Sequence, residues 1–307
     1  MELLKNTNFD FISKHRTGFV FSAVIIAIGL IFLVIHQGPN FGIDFRGGVK
    51  IQAKFNRAVT ETELQAKLTE IGYERATIQI DASKNEAFVS MGHRPEFQGQ
   101  GTSVGRILTD ALLEGGGGWH ALAGGVNISE VGPSVGRDLK LAALWSVLGA
   151  IAILLIYISW RFEFRFAIGA IAALVHDVLI TLGVFAVLSK EINLPTVAAF
   201  LTIIGYSLND TIVVFDRIRE NTQTLRGTDY IAVLNRSINQ SLSRTVITSL
   251  TTLFVVLVIF LITGSGEEIN TFALALIVGI LVGTYSSVFI ASPILYLWNR
   301  GRPQEAS

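Results

Sequence analysis

The sequence predicts a polytopic α-helical membrane protein of six transmembrane helices. A small α+β, ferredoxin-like domain is expected outside the membrane, between helices 1 and 2. Three observations predict this. Half of the 307 residues are hydrophobic, with a mean hydropathy of +0.53. Only 16% are charged, against about 25% in an average soluble domain. The apolar residues fall in six long blocks, and one polar stretch between them, residues 37–138, reads as alternating strands and short helices.

The six predicted spans are Gly18–His36, Leu139–Ser159, Phe166–Leu188, Leu194–Phe215, Val246–Thr263 and Thr271–Trp298. The first exceeds a signal h-region and no Ala-x-Ala site follows, so it reads as an uncleaved anchor. Orientation follows from Lys and Arg placement. Lys5, Lys14 and Arg16 precede the first span, and Arg161 and Arg165 join the second to the third. Arg217, Arg219, Arg226, Arg236 and Arg244 lie between the fourth and fifth, and Arg300 and Arg302 follow the last. The loops 189–193 and 264–270 hold only Lys190. Both termini are therefore expected in the cytoplasm. The expected units are 1–36 (cytoplasmic N-terminus and first helix), 37–138 (external domain) and 139–307 (a five-helix membrane domain).

Within the external stretch, Val49 to Phe55 alternates as a half-buried strand does. Thr60-x-x-Glu63 is a capping box, and Val59 and Leu64 are spaced for a hydrophobic staple. Leu64, Leu68 and Ile71 share a helix face, which Gly72 ends. Ala76–Ile80 and Ala87–Met91 alternate around a turn. Val104, Ile107, Leu108, Ala111 and Leu112 mark a second helix, Gly115–Gly118 a flexible break, and Val126–Val131 a last strand. The order β-α-β-β-α-β is the ferredoxin-like one.

Composition excludes several functions. There is no cysteine, hence no disulfide or thiol chemistry. Lys and Arg balance Asp and Glu at 24 each, which gives no hint of nucleic acid. No P-loop is present, so work would draw on an ion gradient or a partner. No metal-ligand spacing and no nucleophile–base arrangement stands out, so neither a cofactor nor a catalytic site is expected and the chain does not read as an enzyme.

Polar groups inside the apolar blocks are the candidates that remain. An Asp at the centre of a spanning helix costs roughly 2.5–3.5 kcal/mol on insertion scales, so it is retained for a reason. Asp210, beside Asn209, lies on the fourth span, with Tyr206 and Ser207 one turn earlier. A proton-carrying role and an interhelical clamp both fit, and the ionisable carboxyl favours the first, because Asn would clamp as well. His176 and Asp177 lie mid-way along the third span; adjacent residues point to different faces, so one of them could simply orient a neighbouring helix. Arg244 precedes the fifth span and reads as an ordinary anchor. Gly279-x-x-x-Gly283 with Ser287 reads as a packing face, one place for contact with a partner. Gly132, Pro133 and Gly136 are candidate hinge residues at the domain–membrane junction.

Five motifs in order then carry a resemblance over nearly the whole chain. They are Phe41-Gly42-Ile43-Asp44-Phe45-Arg46-Gly47-Gly48, Val131 to Leu139, His176-Asp177, Gly205 to Asn221, and Ser243 to Ser249. Together they closely resemble the SecD/SecF family of bacterial protein-export membrane subunits, within the resistance-nodulation-division superfamily. The resemblance implies a SecD partner whose own six spans complete a twelve-helix unit. It implies association with the SecYEG channel, with YajC and YidC, and with unfolded preprotein. It implies a bacterial inner-membrane location and outward pulling driven by the proton-motive force, and it links Asp210 and Arg244 to proton transport. Proton versus sodium coupling stays open, as do two rival functions, a small-molecule exporter half and a non-transporting scaffold.

Overall fold

The computed structural model describes residues 7–73, 76–92, 104–225, 227–264 and 266–300. Lys5, Arg226 and Arg302, and the Arg300 side chain, lie outside the described residues. Among the described residues six helices are long and apolar enough to cross a membrane, as the sequence predicts. They are α1 (His15–Ile35), α5 (Pro133–Arg161), α6 (Phe164–Val187), α7 (Leu194–Thr224), α8 (Tyr230–Ile262) and the last, which runs as α9 (Glu268–Ser286), a π-turn Ser287–Ala291 and α10 (Ser292–Arg300). Ser292 Oγ donates to the Ser287 carbonyl five residues back, across that turn.

The buried bundle core is built mainly by α6, α7 and the last helix. α1 joins it through one close approach. A Cβ on Gly29 would lie 2.6 Å from Gly183 Cα, so the two backbones meet where neither has a side chain.

Two helices outrun their predicted spans. α7 continues to Thr224 and α8 begins at Tyr230, so most of 216–245 is a helical hairpin and not a loop. Its polar residues keep the helical period and bury a seam. Asn221 Nδ2 donates to Ser237 Oγ (2.8 Å) and Gln240 Oε1 (2.9 Å), while Val233, Leu234 and Ile238 are buried. The N-terminal segment docks on the same hairpin. Asn235 and Asn239 take up the backbone of residues 9–12, and Asn235 also donates to Asp10.

At the other end of the bundle sits the sheet domain. It contains α2 (Ile43–Arg46), β1 (Gly48–Phe55), α3 (Glu61–Glu70), β2 (Thr77–Asp81), β3 (Glu86–Gly92), α4 (Val104–Glu114) and β4 (Ala121–Val131). The strands are all antiparallel in the order β2-β3-β1-β4, which is the ferredoxin-like topology. Val49, Ile51, Ala53 and Phe55 alternate inward with Ala87, Val89 and Met91, and α3 and α4 cover them with Leu64, Leu68, Leu108 and Leu112. The capping box at Thr60 and Glu63 is present with both bonds, and Gly72 ends α3 at φ +87°. The Gly115–Gly118 break is an ordered turn. Gly116 and Trp119 exchange backbone hydrogen bonds there, and β4 starts five residues earlier than predicted.

The sheet's second face meets the α8–α9 turn. Lys50 pairs with Glu268 at 3.1 Å and Lys84 with Glu267 at 2.8 Å, and Phe88 packs so closely on Gly266 that a Cβ there would collide with it.

Candidate functional site

Asp210 sits in the seam between α7, α8 and α9 with 2% of its surface exposed. Its one hydrogen-bond donor among the described residues is Ser249 Oγ of α8, at 3.3 Å, and Ser249 in turn contacts Thr284 Oγ1 of α9 at 2.7 Å. The carboxyl is therefore desolvated and thinly partnered. Arg244 lies one turn and a residue before Ser249 on α8. It is exposed and forms no ion pair with Asp210, though its charge acts on that carboxyl. Asn209 is not in the seam. It lies on the exposed side of α7 with Thr202 and Gly205, because successive residues rotate by 100° on a helix.

A second cluster lies one helix over. His176 and Asp177 are both buried, and His176 Nδ1 meets Asp177 Oδ1 at 2.8 Å. The expectation that adjacent residues would point apart fails here, because the imidazole folds back along the helix to the neighbouring carboxyl. Asp177 Oδ2 accepts from Ser207 Oγ of α7 at 2.5 Å and from Ser286 Oγ of α9 at 2.8 Å. His176 Nε2 lies 2.8 Å from Ser22 Oγ of α1. Ser22 Oγ donates to the Tyr285 hydroxyl at 3.2 Å, and Tyr285 donates to the Gly18 carbonyl at 2.8 Å. Four helices are thus joined through one buried polar group. Ser22, Ser286 and Tyr285 carried no signal in the sequence, since lone hydroxyls are common in membrane helices.

The Gly279–Gly283–Ser287 stripe faces this chain and not a partner. A Cβ on Gly279 would collide with Ile203, and one on Gly283 would lie 3.0 Å from the Ser207 Cβ. The small residues let α9 close on α7, which brings Ser286 onto Asp177.

The segment Phe41–Gly48 forms a clasp at the sheet end of the bundle. Phe41 and Ile192 make a parallel bridge, and the Gly42 amide donates to the Ile192 carbonyl at 2.7 Å. Asp44 Oδ2 accepts from the Leu194 amide at 2.8 Å, a free donor at the first residue of α7. Gly47 adopts φ +74°, where a Cβ would press on Pro133. Gly136 lies against Gly47 and Asp44, so the start of α5 is packed on the same clasp, and Gly132 precedes it as an exposed N-cap. Lys140 Nζ sits 4.1 Å over the Phe41 ring. One motif therefore joins β1, α5 and α7. Among the described residues no cluster of three His, Cys, Asp or Glu could hold a metal ion.

Comparison with known proteins gives concordant matches. Residues 122–301 match the family described as protein export membrane protein SecD/SecF, C-terminal, and residues 32–59 match the SecD/SecF GG motif. The protein translocase subunit SecF of Thermodesulfovibrio yellowstonii is 42% identical over 301 residues, 97% of each chain. The SecF subunit of Haemophilus influenzae is 40% identical over 94% of this chain and 85% of its own. The crystal structure of SecDF, a translocon-associated membrane protein from Thermus thermophilus, superposes on 98% of this chain with a TM-score of 0.82 at 35% identity. This chain spans 40% of that longer one. With 97% of its length aligned to a translocase subunit, both family segments matched and the fold shared, the chain belongs to the SecD/SecF family of protein-export membrane proteins.

Proposed function

We propose that this chain is a SecF-type subunit that works with SecD to draw preproteins outward through the Sec channel, using the proton-motive force. Asp210 carries the proton. The observation that carries this reading is a carboxyl 2% exposed inside an apolar bundle, held by one long hydrogen bond. A structural clamp would be better partnered. Each proton that crosses 100 mV makes about 2.3 kcal/mol available. Arg244, close but unbonded, is a movable counter-charge whose approach would favour release of the proton. His176 and Asp177 form a second polar group in a neighbouring seam, not bonded to Asp210.

The clasp supplies the coupling. α7 runs from the Asp44 cap to Asp210 over sixteen residues, about 24 Å of rigid helix. Displacement of α7 when Asp210 changes charge is felt at Asp44, and from there at β1 and at Gly132, Pro133 and Gly136. Asn209, polar and exposed on a membrane helix, lies on the face that SecD covers, because lipid is a poor neighbour for an amide. SecYEG, YajC and YidC complete the assembly, with both termini cytoplasmic in the inner membrane.

The test is Asp210→Asn, which preserves shape and removes the titratable charge. The expected variant inserts, binds SecD and supports ATP-driven initiation, yet loses proton-motive-force-dependent export and proton conductance. Full activity at matched protein levels would return Asp210 to a clamp and end the relay proposal.

A further inference from the structure

We propose that Ser22, His176, Asp177 and Tyr285 form a second proton-holding site, separate from Asp210, and that its occupancy sets whether Ser22 of α1 donates to Tyr285 of α9 or to His176 of α6. The proposal deepens the proton-driven reading above and rests on it. The argument is a count of hydrogens. The Gly18 carbonyl can only accept, so Tyr285 spends its one hydroxyl hydrogen there. The Tyr285 oxygen is then the acceptor for Ser22, which spends its own hydrogen on it. The Ser22 oxygen must in turn accept from His176 Nε2, so Nε2 carries a hydrogen. On the far side of the ring, one more hydrogen lies between Nδ1 and Asp177 Oδ1. It belongs either to Nδ1, as imidazolium and carboxylate, or to Oδ1, as neutral imidazole and carboxylic acid. Both assignments hold the same number of protons and leave the pair without net charge. Ser207 and Ser286 donate to the other carboxyl oxygen and do not alter the count.

A pair without net charge suits a low-dielectric interior. Among the described residues no outside charge bonds this cluster. α1 brings Ser22, α7 brings Ser207, and α9 brings Ser286 and Tyr285, of which only the Tyr285 phenol titrates. Neither α5 nor α10 bonds it, and Asp210 bonds α8 in a different seam. When a proton leaves, the pair holds one negative charge, and the chain has one hydrogen fewer than it has contacts. Ser22 then turns to donate to Nε2, and the Ser22–Tyr285 contact loses its hydrogen. Proton loss therefore breaks the Ser22–Tyr285 bond and turns Ser22 toward His176, while Tyr285 keeps its own bond to the Gly18 carbonyl. The π-turn that begins at Ser287 sets the register of Tyr285 and Ser286 just before it, a common use of such turns at working sites.

The test uses the full chain with SecD in bilayers, with nitrogen-15 in its histidine rings. The His176 signal is identified by its loss in His176→Gln, and the rings are followed between about pH 5 and pH 9. The expected result is a protonated Nε2 near neutral pH that deprotonates as pH rises. Tyr285→Phe removes the oxygen that draws the Ser22 hydrogen away. It should move that deprotonation about one pH unit to the acid side, the tenfold change that one hydrogen bond supports. An unprotonated Nε2 across the range, or an unmoved titration in Tyr285→Phe, overturns the site. Proton flux in the same preparation separates the two readings. Flux lost in Asp210→Asn with Nε2 unprotonated overturns this site alone, and flux intact in Asp210→Asn overturns the proton-driven reading whatever the rings show.

Discussion

Asp210 and Asp177 differ in how they are satisfied. Asp177 has three side-chain partners drawn from its own helix, α7 and α9, and is held in one geometry. Asp210 has Ser249 alone, at 3.3 Å, and keeps freedom to change partner. Arg244 belongs to the same argument. A bidentate Arg–carboxylate pair would make the planar fork essential. Arg244 makes no such pair with a described carboxylate, so only its charge acts here. Arg244→Lys should therefore keep most proton flux, while Arg244→Ala should lose a few-fold, as removal of an exposed charge interaction worth about 0.2–1 kcal/mol does. Flux measured in vesicles that hold equal amounts of each variant with SecD decides it. Equal loss in the Lys and Ala variants would mean that a bonded Arg244–Asp210 state, absent from this conformation, dominates the cycle.

At the scale of elements, the proposed coupling makes α7 the transmission rod and the clasp its bearing. Asp44→Ala removes the carboxylate from the first amide of α7. A lost helix cap costs about 1 kcal/mol, too little to unfold the chain. The expected outcome is proton flux retained with proton-driven export reduced several-fold, read in one preparation. Export and flux that fall together would place Asp44 in folding and not in coupling. This element also marks where the sequence was legible. Period-2 alternation, the Thr60–Glu63 box and the Gly72 stop are local signals, and the strands and α3 follow from them closely. The clasp depends on a bond between residues 150 apart, so in the sequence this segment entered only through the family resemblance. The long ends of α7 and α8 were hidden because polar residues stop a hydropathy reading without stopping a helix, and Asn221 and Ser237 find each other only after the hairpin forms. Asp210 was legible because an acid stands out in an apolar block. Its isolation from Arg244, and the outward direction of Asn209, needed the rotation of the helices.

Taken whole, the molecule is a sheet domain seated on a bundle, and its seat is held at two places that differ in chemistry. One is the clasp, made of backbone and a helix cap. The other is the contact with the α8–α9 turn, made of ion pairs. Lys84 donates to Glu267, and that bond holds the Glu267 carboxyl below its ordinary 4.5. A lowered carboxylate stabilises the folded contact fully above pH 4.5 and loses that contribution as pH falls through the lowered value. Glu191, in the loop that bears the clasp, is shifted the other way, chiefly by burial, with Lys50 and Arg46 opposing. Its charged form is disfavoured, so acid relieves the clasp loop while it weakens the turn. The Arg57 bond inside the sheet domain lowers Glu63 to about 2, so the α3 cap persists to more acid conditions than the seat does. Acidification should thus release the sheet domain from the α8–α9 turn before the domain itself unfolds. Hydrogen exchange reads this directly. Amides of residues 264 and 266–268 should exchange faster at about pH 4 than at about pH 7 after correction for intrinsic rates, while β1 and β3 stay protected. Glu267→Gln should show the released pattern already at neutral pH. If its turn remains as protected as in the native chain, the Lys84–Glu267 pair does not hold the seat, and Lys50–Glu268 with Phe88 packed on Gly266 does.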